Sequence, residues 1–166
     1  MSLARDFART YASKTAADLP QQTLDYAAML IASTLASAAF GTTIESARIV
    51  KSLALQQGGT EEASVWYDGA KLPVAFAGRV NAMLSDSAAS DDSDLRNIVH
   101  PGTPLVAASF AMAEKLGRSG EEVLAAIVVG YDAQARVSNA LTGLYQTGHH
   151  GSNIAIFGAT VAAGRL

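Results

Sequence analysis

With 166 residues, 49% of them hydrophobic, the chain is long enough for one domain with a sizeable core, and its composition is typical of a globular protein. A formal net charge of -3 provides neither a basic surface for nucleic acid nor a cationic face for a membrane surface. Because the chain has no cysteine, disulfides, thiolate metal sites and a cysteine nucleophile are excluded. We therefore expect a soluble, cytoplasmic protein without nucleic-acid or membrane partners.

Two helices are predicted before residue 42. The first, ending near Ser13, is indicated by three apolar residues at four-residue spacing: Leu3, Phe7 and Tyr11. The second begins at Pro20, a residue suited to a first helical turn, and stops at Gly41. Its two faces are both apolar or rich in alanine and serine, so we expect other helices to surround it. The apolar run from Ala27 to Phe40 is too short, and too rich in serine and threonine, to predict a membrane span.

A third helix is predicted directly after the second. Thr42 and Glu45 have the spacing of a capping box, in which a hydroxyl precedes a carboxylate by three positions. Gly58-Gly59 predicts the end of this helix. It carries four large apolar residues: Ile49, Val50, Leu53 and Leu55.

One short stretch of the chain is typical of β-structure. Residues 63–67 have the composition of a strand, and Asp68-Gly69 is a turn signal that leads to Lys71-Leu72. Together they predict a small hairpin on a helical body. Pro73 then begins a fourth predicted helix, which ends in the polar run from 85 to 93.

The second half of the chain predicts three more helices. One ends at Gly117, and the next begins at a second capping box, Ser119 to Glu122, and runs to about Leu141. After a loop at residues 142–151, an apolar helix runs from Ile154 to Leu166. We therefore predict an all-α helical bundle with a small β-hairpin. We expect the apolar final helix to be covered by a partner or by the rest of a longer protein.

Charge, an imidazole and chain-bending residues are concentrated between Asp91 and Pro104. Several like charges are costly to bury without partners, so we expect the acidic cluster to face water or a ligand site. Thr103-Pro104 has the pattern of an N-cap followed by a proline in the first helical turn, where free N–H groups favour anions. His100 lies just before it, and an imidazole beside carboxylates suits a general base. The alternative is a loop histidine that only bonds to backbone.

Further candidates lie in the same loop, in the following helix and in the second loop. His149 and His150 are adjacent, so on extended backbone they point in opposite directions and one of them is expected to face a site. Adjacent histidines rarely bind one ion together, so no metal is predicted. Tyr131 and Tyr145 are candidate proton donors, with core packing as the alternative for Tyr131. Arg96 is a candidate cation for an anionic ligand, with a surface salt bridge as the alternative.

Several motifs follow one another along nearly the whole chain: Asp18-Leu19-Pro20, Gly58-Gly59, Ala63-Ser64-Val65-Trp66, Lys71-Leu72-Pro73, Val80-Asn81, Asp91-Asp92-Ser93, His100-Pro101-Gly102, Gly130-Tyr131-Asp132 with Arg136, and His149 upstream of Phe157-Gly158-Ala159. In this order they resemble the MmgE/PrpD family, which includes 2-methylcitrate dehydratase, cis-aconitate decarboxylase and iminodisuccinate epimerase. The resemblance implies that residues 1–166 form a single helical domain, the front part of a larger one, with a lid domain beyond it.

The resemblance also implies an activity. Family members act on small di- or tricarboxylates without a required metal or cofactor, usually as homodimers. A lyase or isomerase is therefore implied, with a polycarboxylate substrate and either a homo-oligomer or a complementary subunit. His100 and His149 fall on the two catalytic histidines, and Asp92 and Ser93 fall on the family's Asp-Asp-Thr segment. With the candidates named above, the expected substrate-binding residues are Asp92, Ser93, Arg96, His150 and Tyr145.

Three positions depart from the usual family pattern. Asp86 replaces a histidine, Ala89 replaces an acidic residue, and His150 replaces a proline. The lid domain, which contributes lysines to the site in the family, lies outside the part that this chain resembles. The alternative function is therefore a non-catalytic helical module or subunit that binds a partner chain or a carboxylate.

Overall fold

The computed structural model describes residues 2–96, 98–141 and 152–166, which form seven α-helices, one 3₁₀ helix and one antiparallel hairpin. The α-helices are α1 (Leu3–Ala12), α2 (Gln21–Gly41), α3 (Glu45–Gln57), α4 (Val74–Ser87), α5 (Gly102–Leu116), α6 (Gly120–Ala140) and α7 (Ser152–Arg165). The 3₁₀ helix is Ala16–Asp18, and the hairpin pairs β1 (Ala63–Ser64) with β2 (Lys71–Leu72). The predicted all-α class with a small hairpin is confirmed.

Glycine and capping residues end and begin several helices where the sequence predicted. Gly58 and Gly117 follow α3 and α5 with φ of 60° and 63°, values that glycine adopts without steric cost. At the start of α6, the Ser119 hydroxyl accepts from the Glu122 N–H at 3.2 Å, and the Glu122 carboxylate accepts from the Ser119 N–H at 2.9 Å. The second capping box is therefore confirmed.

The predicted capping box at the start of α3 does not form. The N-cap residue of α3 is Ile44, and it provides no side-chain hydrogen bond. The Thr42 hydroxyl instead donates to the carbonyl oxygen of Ala39 at 2.7 Å, so it does not cap toward Glu45. The last carbonyls of a helix lack N–H partners within that helix, so a carbonyl at the end of α2 accepts the hydrogen bond from this hydroxyl before α3 begins.

The packing face of α3 consists mostly of small residues. Its buried residues are Ala47 and Ala54, and Val50 packs partly buried against the core. The other large apolar residues of α3 are exposed: Ile49, Leu53 and Leu55. Because α3 packs on α4 through this stripe of small residues, its larger side chains point outward.

α2 packs closely on α4 through small side chains. The buried residues of α2 are Ala27, Thr34, Ser37, Ala38 and Gly41. A Cβ at Gly41 would overlap the backbone carbonyl of Leu84, so the approach of the two helices requires glycine there. Another side of α2 carries Tyr26, Met29 and Phe40, which are 56%, 56% and 60% exposed. The expectation that helices surround α2 is therefore wrong within the described residues.

By length and composition alone, α2 is also long and apolar enough to cross a membrane. Its 21 residues extend beyond the apolar run 27–40 because the polar residues after Pro20 join the helix. Core helices of water-soluble proteins can have the same length and composition, but only 28% of the most apolar 18 residues of α2 is buried among the described residues.

The centre of the core is α5, which contacts α2, α4, α6 and α7. Its residues Leu105 and Val106 are fully buried. α6 and α7 cross closely at two glycines, since a Cβ at Gly130 would lie 2.9 Å from the carbonyl oxygen of Gly158. This arrangement brings the N-terminus of α5, and the loop that precedes it, against the side of α6.

Candidate functional site

The loop that joins α4 to α5 is folded back on itself. Asp94 and Val99 pair across it as an antiparallel bridge, with N···O distances of 2.9 and 3.4 Å. At its tip, Leu95 is 88% exposed. Ala89 and Ile98 have φ of 49° and 50°, a conformation that is costly for residues with a Cβ and most costly for β-branched Ile98. Strain of this kind is more common at functional sites than in simple connections.

The Asp92 carboxylate is held from two directions. Its Oδ1 accepts from the backbone N–H of Gly102 at 2.7 Å, and its Oδ2 accepts from the hydroxyl of Tyr131 at 2.7 Å. Burial raises the pKa of Asp92 above its ordinary value, against the effect of these two hydrogen bonds, which favour the charged form. Burial and the neighbouring Asp92 charge also raise the pKa of Tyr131. Asp92 thus links the first turn of α5 to the middle of α6.

The Asp91 side chain turns inward, because only 4% of it is exposed. Its Oδ2 lies 3.1 Å from the hydroxyl of Thr103, which also lies 3.0 Å from the Ser85 hydroxyl on α4. The expectation that the acidic cluster faces water or a ligand is therefore wrong for Asp91, because protein donors satisfy it. Thr103 is not the N-cap either: α5 begins at Gly102 with Pro101 as the N-cap residue.

One ring nitrogen of His100, Nδ1, contacts Asp91, Asp92 and Ser93, and much of the side chain is exposed. Its side chain is 60% exposed. Nδ1 lies 3.1 Å from the carbonyl oxygen of Asp92, 3.2 Å from the Ser93 hydroxyl and 3.5 Å from Oδ2 of Asp91. A carbonyl oxygen only accepts, so the contact with Asp92 requires the proton on Nδ1. In the neutral ring, Nε2 then carries the free lone pair and can take a proton from a ligand.

The other predicted site residues lie partly outside this cluster. Ser93 is exposed beside His100. Arg96 is exposed near the loop tip, and its backbone N–H donates to Oδ1 of Asp94 at 3.0 Å. Tyr145, His149 and His150 lie outside the described residues, so their roles, and a pocket shared by His100 and His149, stay predictions.

Among the described residues, two cavities border the loop. The His100 cavity, of about 370 Å³, is lined by His100 and Thr103 together with residues of α7 such as Ile156. The Asp92 cavity, of about 500 Å³, lies between the loop, α2 and α6. Its lining residues include Tyr26, Leu30, Asp92, Asp94, Tyr131 and Asp132. Loop atoms therefore reach two separate spaces, and His100 lines the first of them.

Both cavities are acidic along their described walls. The residues that line the His100 cavity include Asp86, and those that line the Asp92 cavity include Asp92, Asp94 and Asp132. Within the described ranges, neither lining contains a lysine or an arginine. The described residues also contain no group of three or more histidine, aspartate or glutamate residues that could hold a metal ion. An anionic ligand would therefore need cations from elsewhere.

The comparison with protein families agrees with this architecture. A family model described as the MmgE/PrpD N-terminal domain matches residues 5–166. The chain belongs to the MmgE/PrpD family. Members of this family include dehydratases and are generally soluble. A search of curated proteins found none that matches the chain.

In this MmgE/PrpD chain, the tertiary structure shows which residues bind the two aspartates: Thr103 contacts Asp91, and Gly102 and Tyr131 contact Asp92. Of the two alternatives for Tyr131, the structure agrees with core packing: its ring packs partly buried against the core, and its hydroxyl is satisfied by donation to Asp92. A Cβ at Gly102 would overlap Oδ1 of Asp92 and lie 2.9 Å from the Tyr131 hydroxyl, which explains the need for glycine beside the carboxylate. The Gly130-Tyr131-Asp132 motif was the available signal for Tyr131, but its contact partner could not be read from it.

Proposed function

We propose that this chain supplies the acid–base part of an MmgE/PrpD lyase or isomerase that removes a proton from carbon next to a carboxylate. The substrate is a small di- or tricarboxylate, and no metal or cofactor takes part. The observation that carries the proposal is the contact of His100 Nδ1 with the Asp92 carbonyl at 3.1 Å, which puts the proton on Nδ1 and leaves the lone pair of a neutral ring on Nε2. A base must be a neutral imidazole with a free lone pair, and this contact favours that form.

Further roles follow from the family resemblance. His149 acts as the acid or as a substrate contact, with His150 as the alternative residue. Asp92 and Ser93 orient His100 and the substrate, and Arg96 and Tyr145 bind the substrate. We place the protein in the cytoplasm, with residues 1–166 as one helical domain.

The acidic walls of the two cavities bear on how such a site would work. A substrate with two or three carboxylates is repelled by Asp86 and Asp92 unless positive groups intervene. In the described part of the chain no such group lines either cavity. We therefore propose that lysine or arginine residues come from a lid domain, from a second copy in a homodimer or from a complementary subunit.

Replacement of His100 by Ala tests the proposal. We expect turnover to fall by about 10²–10⁴-fold, the usual contribution of a positioned acid–base group, while circular dichroism and melting stay unchanged. Activity would be screened with di- and tricarboxylates, with and without any chain that purifies with the protein. Leu95→Ala is the matched control, because it alters the exposed tip of the same loop without touching His100. Unchanged turnover in folded His100→Ala protein would reject the proposal.

The acidic cavity walls and Ala89 favour a second candidate, a non-catalytic module that binds a partner chain or a carboxylate. This candidate predicts no turnover of any polycarboxylate, even with the partner present. Native mass measurement would identify the assembly, and calorimetry with the same carboxylates would detect binding without reaction. Turnover that depends on His100 would exclude it.

A further inference from the structure

We propose that Tyr131 is a positioning residue: by holding the Asp92 side chain it keeps the Asp92 carbonyl on Nδ1 of His100 and so selects the tautomer with a free Nε2. The catalytic meaning of this tautomer rests on the proposed function, whereas the positioning itself does not. Tyr131 acts from α6, 39 residues from Asp92 in the sequence.

The first step is the anchoring of Asp92. Its two carboxylate oxygens accept different donors, Gly102 from α5 and Tyr131 from α6, each at 2.7 Å. A carboxylate bound at both oxygens by groups on two helices can neither rotate nor withdraw without breaking a charge-assisted hydrogen bond. Burial makes such a loss more costly, because water does not readily replace the missing donor.

The second step connects this anchor with the imidazole. The carbonyl of Asp92 belongs to the same residue as the anchored side chain, and it meets Nδ1 of His100 at 3.1 Å. Because the carbonyl carbon is bonded to the same Cα as the side chain, anchoring the carboxylate restrains how far this carbonyl can move. Two other acceptors remain near Nδ1, the Ser93 hydroxyl at 3.2 Å and the Asp91 carboxylate at 3.5 Å. The hydroxyl can also donate, so it does not select a tautomer, and Asp91 is farther away.

The chain contains a matched control for the Tyr131 hydroxyl. Tyr11 donates its hydroxyl to Oδ2 of Asp132 at 2.8 Å, so this pair also joins a tyrosine to an aspartate, here with the aspartate on α6. The Asp132 side chain is 47% exposed and also accepts from Arg136 at 2.8 Å, whereas Asp92 is buried enough to raise its pKa. Asp132 is not among the groups that contact Nδ1 of His100. A change from tyrosine to phenylalanine removes one hydrogen bond from a tyrosine to a carboxylate in each case, but only one of the two reaches the imidazole.

The test is the tautomer of His100 in the complete protein, measured by nitrogen-15 NMR at a pH where the rings are neutral. A His100→Gln variant assigns the signal among the three histidines. We expect the Nδ1–H form to dominate in the wild type, opposite to the preference of a free histidine side chain in water. In Tyr131→Phe the ratio of Nδ1–H to Nε2–H should fall about fivefold, the change that the loss of one ordinary hydrogen bond produces.

The outcomes separate this proposal from the proposed function. A fall in the ratio for Tyr131→Phe, with no change for Tyr11→Phe, supports positioning by Tyr131. The same ratio in Tyr131→Phe as in the wild type overturns it, and so does an equal change in both variants, which would indicate a general loosening of α6. If the ratio falls as expected but His100→Ala keeps full turnover, positioning stands and the catalytic proposal is wrong.

Discussion

Gly102 and Gly120 each begin a helix, yet the structure predicts opposite effects when either is changed to Ala. A Cβ at Gly102 would overlap Oδ1 of Asp92 and lie 2.9 Å from the Tyr131 hydroxyl, whereas a Cβ at Gly120 meets nothing within 4 Å. Neither glycine has a left-handed φ, so the gain from replacing a flexible residue in a helix is similar at both. The difference between the two variants therefore isolates the loss of the Asp92 contacts.

The size of the effect follows from the bonds at stake. Gly102→Ala pushes the Asp92 carboxylate off the first turn of α5 and weakens its bond to Tyr131. Hydrogen bonds to a charged group contribute about 1.5–3 kcal/mol each, so we expect a loss of about 2–4 kcal/mol. Replacing glycine in a helix recovers about 0.5–1 kcal/mol. The net result is a free energy of unfolding lower by about 1–3 kcal/mol, or a melting temperature lower by roughly 3–10 °C.

Urea unfolding followed by circular dichroism measures both variants against the wild type. Gly120→Ala should be neutral or stabilising by about 0.5–1 kcal/mol. Equal stability of the two variants would refute the reasoning, because it would mean that the carboxylate moves aside from Gly102 at no cost. An unchanged m-value is needed for the comparison, since it shows that both variants unfold to the same extent.

Two further predictions concern the helix crossing and pH. Gly130→Ala should lower the free energy of unfolding by about 1–3 kcal/mol, because its Cβ would lie 2.8 Å from Leu105 Cδ2 and 2.9 Å from the Gly158 carbonyl oxygen. Gly164→Ala is the control: a Cβ there would have open space around it, so this variant should not be destabilised in the same urea assay. Burial raises the pKa of Asp92, so the Asp92 carboxyl group binds its proton more tightly in the folded chain than in the unfolded chain. The contribution of protonated Asp92 to stability is therefore present in full below the ordinary pKa of about 4. It falls as pH rises through the raised pKa of the folded state. The free energy of unfolding of the wild type minus that of Asp92→Asn should therefore decrease with rising pH across this range, and an increase would contradict the assigned direction.

The sequence by itself determined where most helices begin and end. Gly58, Gly117 and the Ser119 capping box act within one helical turn, so their effect depends on neighbours that are adjacent in the sequence. The same logic failed at Thr42 and Thr103, whose hydroxyls are taken by other partners. Capping residues are predictable only when no competing acceptor is close in space.

The sequence also singled out the loop between α4 and α5 as the candidate site and named His100, Asp92 and Ser93 within it. The sequence could not predict which side chains on different helices contact one another. Tyr131 reaches Asp92 from 39 residues away, and Asp91 becomes buried because Thr103 turns toward it. Packing of α5 against α4 and α6 decides both contacts, since hydrogen bonds to a buried carboxylate depend on where other helices place their donors. The direction of the His100 ring is therefore a property of the tertiary structure.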